Sequence, residues 1–295
     1  MYPGDSRKNY SKKYKRPMRR RRRYGIRWKH LLLTLLYAAI FCFGAFHLTK
    51  YALRVRETAR TNAQLEQLHA AADLDSAPQT AASEGSIAPE STEEPAAEIA
   101  HHYIGSSILP SAEELHRQNP DLIAWLNLPG VINLPVVYRD NEYYLTHDFY
   151  GRESESGTLF LDASHPLDAR TQYMVLHGHA MYDGSMFGYL TRFRNASYIA
   201  EHPYLTFTTL YEQENYEIIG VLFVSEAEML SVVQLGSPRF ESEAAFRDFI
   251  SGLRAKALHF TADEISPKDT LLALSTCWQD GRIVVYYKRV ESIPA

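Results

Sequence analysis

The sequence predicts a mainly β domain, a closed barrel or a sandwich, joined to one N-terminal transmembrane helix. Three features predict it. Between residues 131 and 290, eight short segments rich in β-branched, aromatic and apolar residues are separated by turn residues such as Gly151, Gly157, Pro166 and Asp183-Gly184. A single amphipathic stretch interrupts them. Ahead of them all lies an apolar run without charges, behind a block of arginines.

The chain opens with a basic tail. Residues 1–30 hold 13 Lys/Arg and one acid, Asp5, out of 31 bases and 35 acids in the chain. The formal charge of −4 therefore hides a tail near +12 and a remainder near −16. A basic tail alone could serve nucleic acid, but the next segment favours a membrane. Residues 31–48, LLLTLLYAAIFCFGAFHL, contain no Asp, Glu, Lys or Arg. The run sits at the short end of the roughly 17–25 residues that span a bilayer as a helix. Lys29 and Lys50 can snorkel from its ends, and Trp28 and Tyr51 suit the interface. Arg19–Arg23 precede it, so the positive-inside rule keeps the N-terminus in the cytoplasm and exports residues 52–295. A cleaved signal peptide fits less well, because the basic region is long and no clear small-x-small cleavage site follows.

The expected organisation is a cytoplasmic tail over 1–30, a signal-anchor helix over 31–49, a stalk over 50–104 and a folded domain over 105–295. Residues 52–75 are helix-friendly and can extend the membrane helix. Residues 76–100 are rich in Ala, Ser, Glu and Pro and have no aromatic residue, so they bury too little apolar surface to offset ordering.

Within the domain, Ser111-Ala-Glu-Glu114 matches a capping box and starts a short helix ending near Asn119-Pro120. Ile123, Trp125 and Leu126 lead into a turn at Leu128-Pro-Gly130. Strands are expected near 131–137, 142–145, 157–162, 171–177, 204–210, 216–225, 270–277 and 282–290. Before the last two, Phe246, Phe249, Ile250 and Leu253 repeat at i, i+3, i+4 and i+7. Glu241 and Glu243 open that segment and Arg254 and Lys256 close it, which matches a helix dipole.

The chemistry gathers at the last two strands. Asp280-Gly281 is a hairpin signal, with Gly taking the positive φ of a tight turn. A four-residue loop then sets Cys277 opposite Arg282, their Cα atoms about 4.5–5.5 Å apart. The chain has two cysteines, and Cys42 lies in the membrane run. Cys277 is thus an exported thiol without a partner: a candidate nucleophile, or else a buried inert group. Upstream, His177 and His179 end an apolar strand, two residues apart. They read as a zinc pair completed by His147, His165, His202 or His259, as structural caps, or as the base for the thiol. An imidazole can take the thiol proton and return one to a leaving amine. Arg282, never deprotonated in practice, suits a fixed donor to an oxyanion.

Leu-Ser-Thr-Cys277 before Arg282-Ile-Val-Val, with Leu-His177-Gly-His179-x-Met and Gly-Ser-Met-Phe upstream, resembles the sortases. Asn119-Pro-Asp-Leu-Ile-Ala-Trp125, Asn141-Glu-Tyr-Tyr-Leu145, His147-Asp-Phe149 and Gly157-Thr-Leu-Phe-Leu-Asp162 are similar to class B in particular. The resemblance covers roughly residues 108–290. It implies a sortase-type closed eight-stranded β-barrel, with an N-terminal helix and a helix inserted before the Cys strand. It implies a membrane-anchored cysteine transpeptidase of Gram-positive bacteria. Cys277 then corresponds to the nucleophile, His179 to the catalytic histidine and Arg282 to the arginine. Ser275, Thr276, Asn141, Leu145 and His177 correspond to substrate-groove positions. The implied substrates are sorting-signal-bearing surface or pilin proteins, cleaved after threonine through a thioester. The implied acceptor is an amine of the cell-wall precursor or a pilin lysine, with no metal, cofactor or nucleic acid. His177 departs from a usual tyrosine, Ala180 from a frequent Asn or Thr, and the 277–282 loop is shorter than in many members. The rival readings are a non-enzymatic surface module and a His-x-His metal hydrolase.

Overall fold

The computed structural model describes residues 28–75, 107–165, 171–225, 228 and 240–293. The basic tail as far as residue 27 and the expected flexible linker lie outside these residues. The chain divides into two units, Met1–Ala52 and Leu53–Ala295.

Helix α1 runs Trp28–Asp75. In the first unit its apolar side chains, among them Leu32, Phe41, Phe43, Phe46 and Leu48, are exposed. It is long and apolar enough to cross a membrane, and exposed apolar surface of this extent suits a non-aqueous surround. It is a candidate membrane anchor.

In the second unit, the rest of α1 lies against the β domain. Leu65 is buried, and Thr58 and Ser156 share a hydroxyl hydrogen bond of 2.7 Å. Arg152 donates to the Thr61 hydroxyl at 3.0 Å, and Asn133 donates to Glu66 at 2.7 Å. Arg54 pairs with Glu155. The His69 ring stacks on Trp125 at 4.3 Å.

Helix α2 spans Pro110–Gln118. The expected capping box is replaced by another start. Leu109 is the N-cap without a side-chain bond, Pro110 occupies the first turn, and Ser111 is buried. Proline fits there because its missing N–H is one that a helix start leaves unpaired anyway.

The strands are β1 Leu122–Leu128, β2 Ile132–Val137, β3 Leu159–Leu161, β4 Tyr173–His177, β5 Tyr204–Thr209, β6 Gln213–Ser225, β7 His259–Phe260, β8 Leu271–Trp278 and β9 Gly281–Val290. Helix α3 covers Ala196–Glu201 and helix α4 covers Glu243–Lys256. The order β5-β1-β2-β3-β4-β8-β9-β6 closes through β5–β6 pairing, giving a barrel of eight strands, and the two-residue β7 adds to β6. Neighbours are antiparallel except β2–β3 and β4–β8.

Eight strands form the ring, as the resemblance implied, but one member differs from the sequence expectation. Residues 143–145 form a 3-10 turn. The Asp140 carboxylate accepts the Glu142 and Tyr143 amides at 2.8 and 2.6 Å and folds the chain locally, overriding the strand preference of the tyrosines. β1 takes the vacated place. Its apolar run is buried on both faces and so lacks the alternation that marks a half-exposed strand.

The barrel interior holds Leu126, Leu161, Leu176, Phe187, Leu274, Val285 and their neighbours. α4 covers the outer face of the β4–β8–β9–β6 wall with Phe246, Phe249, Ile250 and Leu253 against Tyr173, Val175, Ala273 and Tyr286. These are the four residues of the predicted stripe. Ser242 caps the helix, its hydroxyl accepting from the Ala245 amide at 3.1 Å. With an interior on one side and a helix on the other, β4 and β8 read as unbroken apolar runs.

Candidate active site

The hairpin between β8 and β9 fixes two candidates at once. Cys277 lies directly opposite Arg282, as expected from the sequence. Pairing continues for one more step, Trp278 to Gly281, leaving the two-residue loop Gln279-Asp280. Gln279, at φ 49°, takes the left-handed conformation assigned beforehand to Gly281. Gly281 is required for a different reason. A Cβ there would lie 2.2 Å from the Val224 carbonyl oxygen on β6.

Cys277 is exposed and Arg282 half-buried. The thiol is therefore not sealed in the core, unlike the buried thiol of the rival reading. The next residue, Trp278, lies under the Arg194 guanidinium, 4.5 Å from the ring centroid, a cation–π contact that holds the indole in place.

His179 arrives from β4. β4 and β8 run parallel, with His177 paired to Ser275. Two residues further along, His179 and Cys277 emerge at the same end of adjacent strands. The Thr276 hydroxyl donates to the Gly178 carbonyl at 2.7 Å and ties the two chain ends together. Gly178 is needed for close packing. A Cβ there would sit 2.4 Å from Leu159 Cδ2 and 2.9 Å from Phe187 Cδ2. The His179 Nε2 is 2.8 Å from the Leu145 carbonyl oxygen. A carbonyl only accepts, so Nε2 carries hydrogen and Nδ1 is the nitrogen that can exchange a proton.

The groove candidates separate into two groups. Asn141 is exposed and Leu145 half-buried, the latter contributing its carbonyl to His179. Ser275 and Thr276 are fully buried. Thr276 acts on the backbone before His179, and the Ser275 hydroxyl has no hydrogen-bond partner among the described residues.

His177 is buried at 8 % exposure, its Nε2 2.9 Å from Asp162. His177 and His179 thus reach for different partners. The four histidines weighed as further ligands are also engaged elsewhere. His147 contacts the Tyr143 carbonyl, His202 the Pro129 carbonyl and His259 the Arg194 carbonyl. His165 is fully buried and accepts from the Val175 amide at 3.1 Å. Burial pushes its pKa down to about 4, only partly countered by Asp162. Among the described residues no cluster of three His, Cys, Asp or Glu side chains could hold a metal ion.

Sequence reasoning did not single out Asp162 as a site residue, nor Arg194. Burial tends to raise the Asp162 pKa, but hydrogen bonds from His177, the Ser164 hydroxyl and the Ser164 amide outweigh it. They hold this carboxyl well below the usual carboxylate range. The signal available in sequence was an acid directly after the apolar β3 run, where a solvated loop residue is equally at home.

No family model matches the chain. It is 25% identical over 195 residues to sortase B of Listeria monocytogenes, covering 63% of this chain and 77% of that protein. It is 24% identical over 192 residues to sortase B of Staphylococcus aureus, covering 62% and 76%. Among solved structures, sortase B of Clostridium perfringens aligns at TM-score 0.57 and 26% identity, over 61% of this chain and 99% of that one. A Staphylococcus aureus sortase B–substrate complex aligns at TM-score 0.65 and 19% identity, over 82% and 100%, and shows the same fold. The comparisons of residues and of folds thus support what the exposed cysteine and the barrel suggested, a class B sortase, of a family of cysteine transpeptidases.

Proposed function

We propose that Cys277 attacks a sorting-signal peptide after its threonine and passes the acyl group to an amine of the cell-wall precursor or of a pilin. The observation that carries this reading is an exposed thiol paired across a hairpin with an arginine, at the strand end where His179 also emerges. Four events complete one turnover. The thiolate sulfur adds to the threonine carbonyl carbon, and the oxyanion that forms is met by the Arg282 guanidinium. The C–N bond breaks as the leaving amine takes a proton from His179, leaving a thioester on Cys277. The second amine adds to the thioester and gives a proton to His179. The C–S bond then breaks, and the thiolate and imidazolium are restored. No cofactor or metal is needed for this balance, and no nucleic acid takes part.

In this reading Asn141, Leu145, His177, Ser275 and Thr276 shape the peptide groove, the buried ones by fixing the backbone beneath it. Residues 31–49 cross the membrane with residues 1–30 in the cytoplasm, and 50–104 connect them to the catalytic domain, 105–295, outside the cell. The sorting-signal class of substrate fits an enzyme held at the bilayer, where surface proteins leave the membrane.

The test is mass spectrometry of the chain with a peptide library carrying threonine-containing sorting-type motifs. The expected result is cleavage after threonine with an acyl adduct on Cys277, absent from Cys277→Ala. Cleavage that persists in Cys277→Ala, or a Cys277 that no thiol reagent modifies, would sink the proposal.

A further inference from the structure

Two acids are buried among the described residues, Asp162 and Glu214. Glu214 is accounted for by Arg289 at 3.0 Å and the Tyr216 hydroxyl at 2.7 Å, at the opposite end of these strands from Cys277. Asp162 is not used by the reaction above, yet it joins two of the groove candidates. It follows β3 and is 5 % exposed. One carboxylate oxygen, Oδ2, receives His177 Nε2–H at 2.9 Å and Asn141 Nδ2–H at 3.3 Å. The other, Oδ1, receives the Ser164 amide at 3.0 Å and the Ser164 hydroxyl at 2.5 Å. Asn141 is held from its other end as well, its Oδ1 accepting the Ala163 amide at 2.8 Å.

The geometry points to Asp162 as a positioning residue for the peptide groove, which holds the side chains of Asn141 and His177 in one fixed arrangement. The inference rests on the proposed groove and deepens it. Physically, Asn141 comes from the loop before the 143–145 turn, His177 from the end of β4 and Asp162 from the end of β3. Three separate segments meet at one carboxylate. A carboxylate has several acceptor sites and no donors, so its partners must all turn donors toward it. That fixes His177 with hydrogen on Nε2. It also fixes the flip of Asn141, whose amide nitrogen faces Asp162 while its oxygen faces the Ala163 amide. A peptide recognised by such groups meets them already oriented, so less conformational entropy is lost on binding. Asp162 itself, nearly sealed from solvent, does not need to touch the peptide.

The experiment uses the full-length chain in detergent and the library peptide found to be cleaved. Asp162→Asn keeps the side-chain shape but turns one acceptor into a donor. It should raise KM for that peptide about tenfold while kcat and the rate of Cys277 alkylation by iodoacetamide stay within about twofold. Asn141→Ala should raise KM similarly, and the double variant should be no worse than the poorer single variant, because both act through one arrangement. A purely structural role for Asp162 predicts something else: a fall in kcat and altered thiol reactivity together, with effects that add to those of Asn141→Ala. Either that pattern or an unchanged KM in Asp162→Asn overturns the inference. Should Asp162→Asn fail to fold, Ser164→Ala replaces it by removing the shortest hydrogen bond to the carboxylate. Additive KM effects of Ser164→Ala and Asn141→Ala then overturn the inference, and non-additive ones support it. An Asn141→Ala chain with wild-type KM points instead to failure of the proposed groove. A raised KM in Asn141→Ala with a silent Asp162→Asn removes only the role of Asp162.

Discussion

Gly178→Ala isolates the packing that holds His179. The backbone there is not left-handed, so the substitution brings steric cost without conformational strain. The added Cβ would lie 2.4 Å from Leu159 Cδ2, 2.9 Å from Phe187 Cδ2 and 3.1 Å from Phe187 Cγ. Ordinary contact begins near 3.4 Å, so Leu159 must move by about 1 Å, the shortfall at that contact. Leu159 and Phe187 are both fully buried in the barrel core, with no free space to enter. Overpacking of this kind costs about 1–3 kcal/mol. For a domain of this size that lowers Tm by roughly 2–12 °C, at about 2–4 °C per kcal/mol. The neighbouring His179 should shift as well, and kcat should fall about tenfold or more, since about 1 Å of misplacement can cost on the order of 100-fold. Leu159→Val removes the clashing δ-carbons at a cost of its own near 1 kcal/mol. Against that background Gly178→Ala should do less harm, by about 0.5–2 kcal/mol of coupling. Thermal melts and single-turnover kinetics of the four chains are the assay. Wild-type Tm and kcat in Gly178→Ala, or strict additivity with Leu159→Val, would refute the reasoning.

Arg282→Ala should lower kcat by roughly 10²–10³, the usual loss of an oxyanion donor, and Arg282→Lys should restore little of it because lysine lacks the planar fork; a fully active Arg282→Ala chain rejects the assignment. Thr276→Val keeps the shape but removes the hydroxyl that donates to the Gly178 carbonyl. It should cost about 1–3 kcal/mol in urea denaturation, and a stability equal to wild type would mean that this contact contributes nothing. Ser242→Ala removes the α4 cap and should cost about 1 kcal/mol with no change in kcat, read by thermal melting and peptide kinetics. His165 stays neutral in the folded chain down to about pH 4, whereas an unfolded imidazole gains its proton below about 6.5. Acid therefore favours unfolding across that window, by up to about 3 kcal/mol at about 1.4 kcal/mol per pH unit. His165→Gln should flatten the loss of stability between pH 7 and 4.5, and an unaltered slope would place its source elsewhere.

What was legible in the sequence was mostly local. Phe246, Phe249, Ile250 and Leu253 declared α4 because a helix face repeats every three to four residues. Cys277 and Arg282 declared each other because a short hairpin leaves few registers. The strand at 142–145 was misread because one aspartate, Asp140, redirects two backbone amides, and residue preferences average over such events. β1 was missed because burial on both faces removes the alternation on which strand reading depends.

By itself, then, the amino-acid order determined an apolar helix behind a basic tail, a mainly β domain, and a cysteine set against an arginine. Only the tertiary structure decided that β4 runs parallel to β8, which brings Thr276 to Gly178 across 98 residues of chain. It alone chose the Leu145 carbonyl as the partner of His179 and drew Asp162 under His177 and Asn141. The physical reason is range. Periodicity and turn chemistry act over a few residues, whereas parallel neighbours meet through long crossovers whose register is set by packing in the finished barrel.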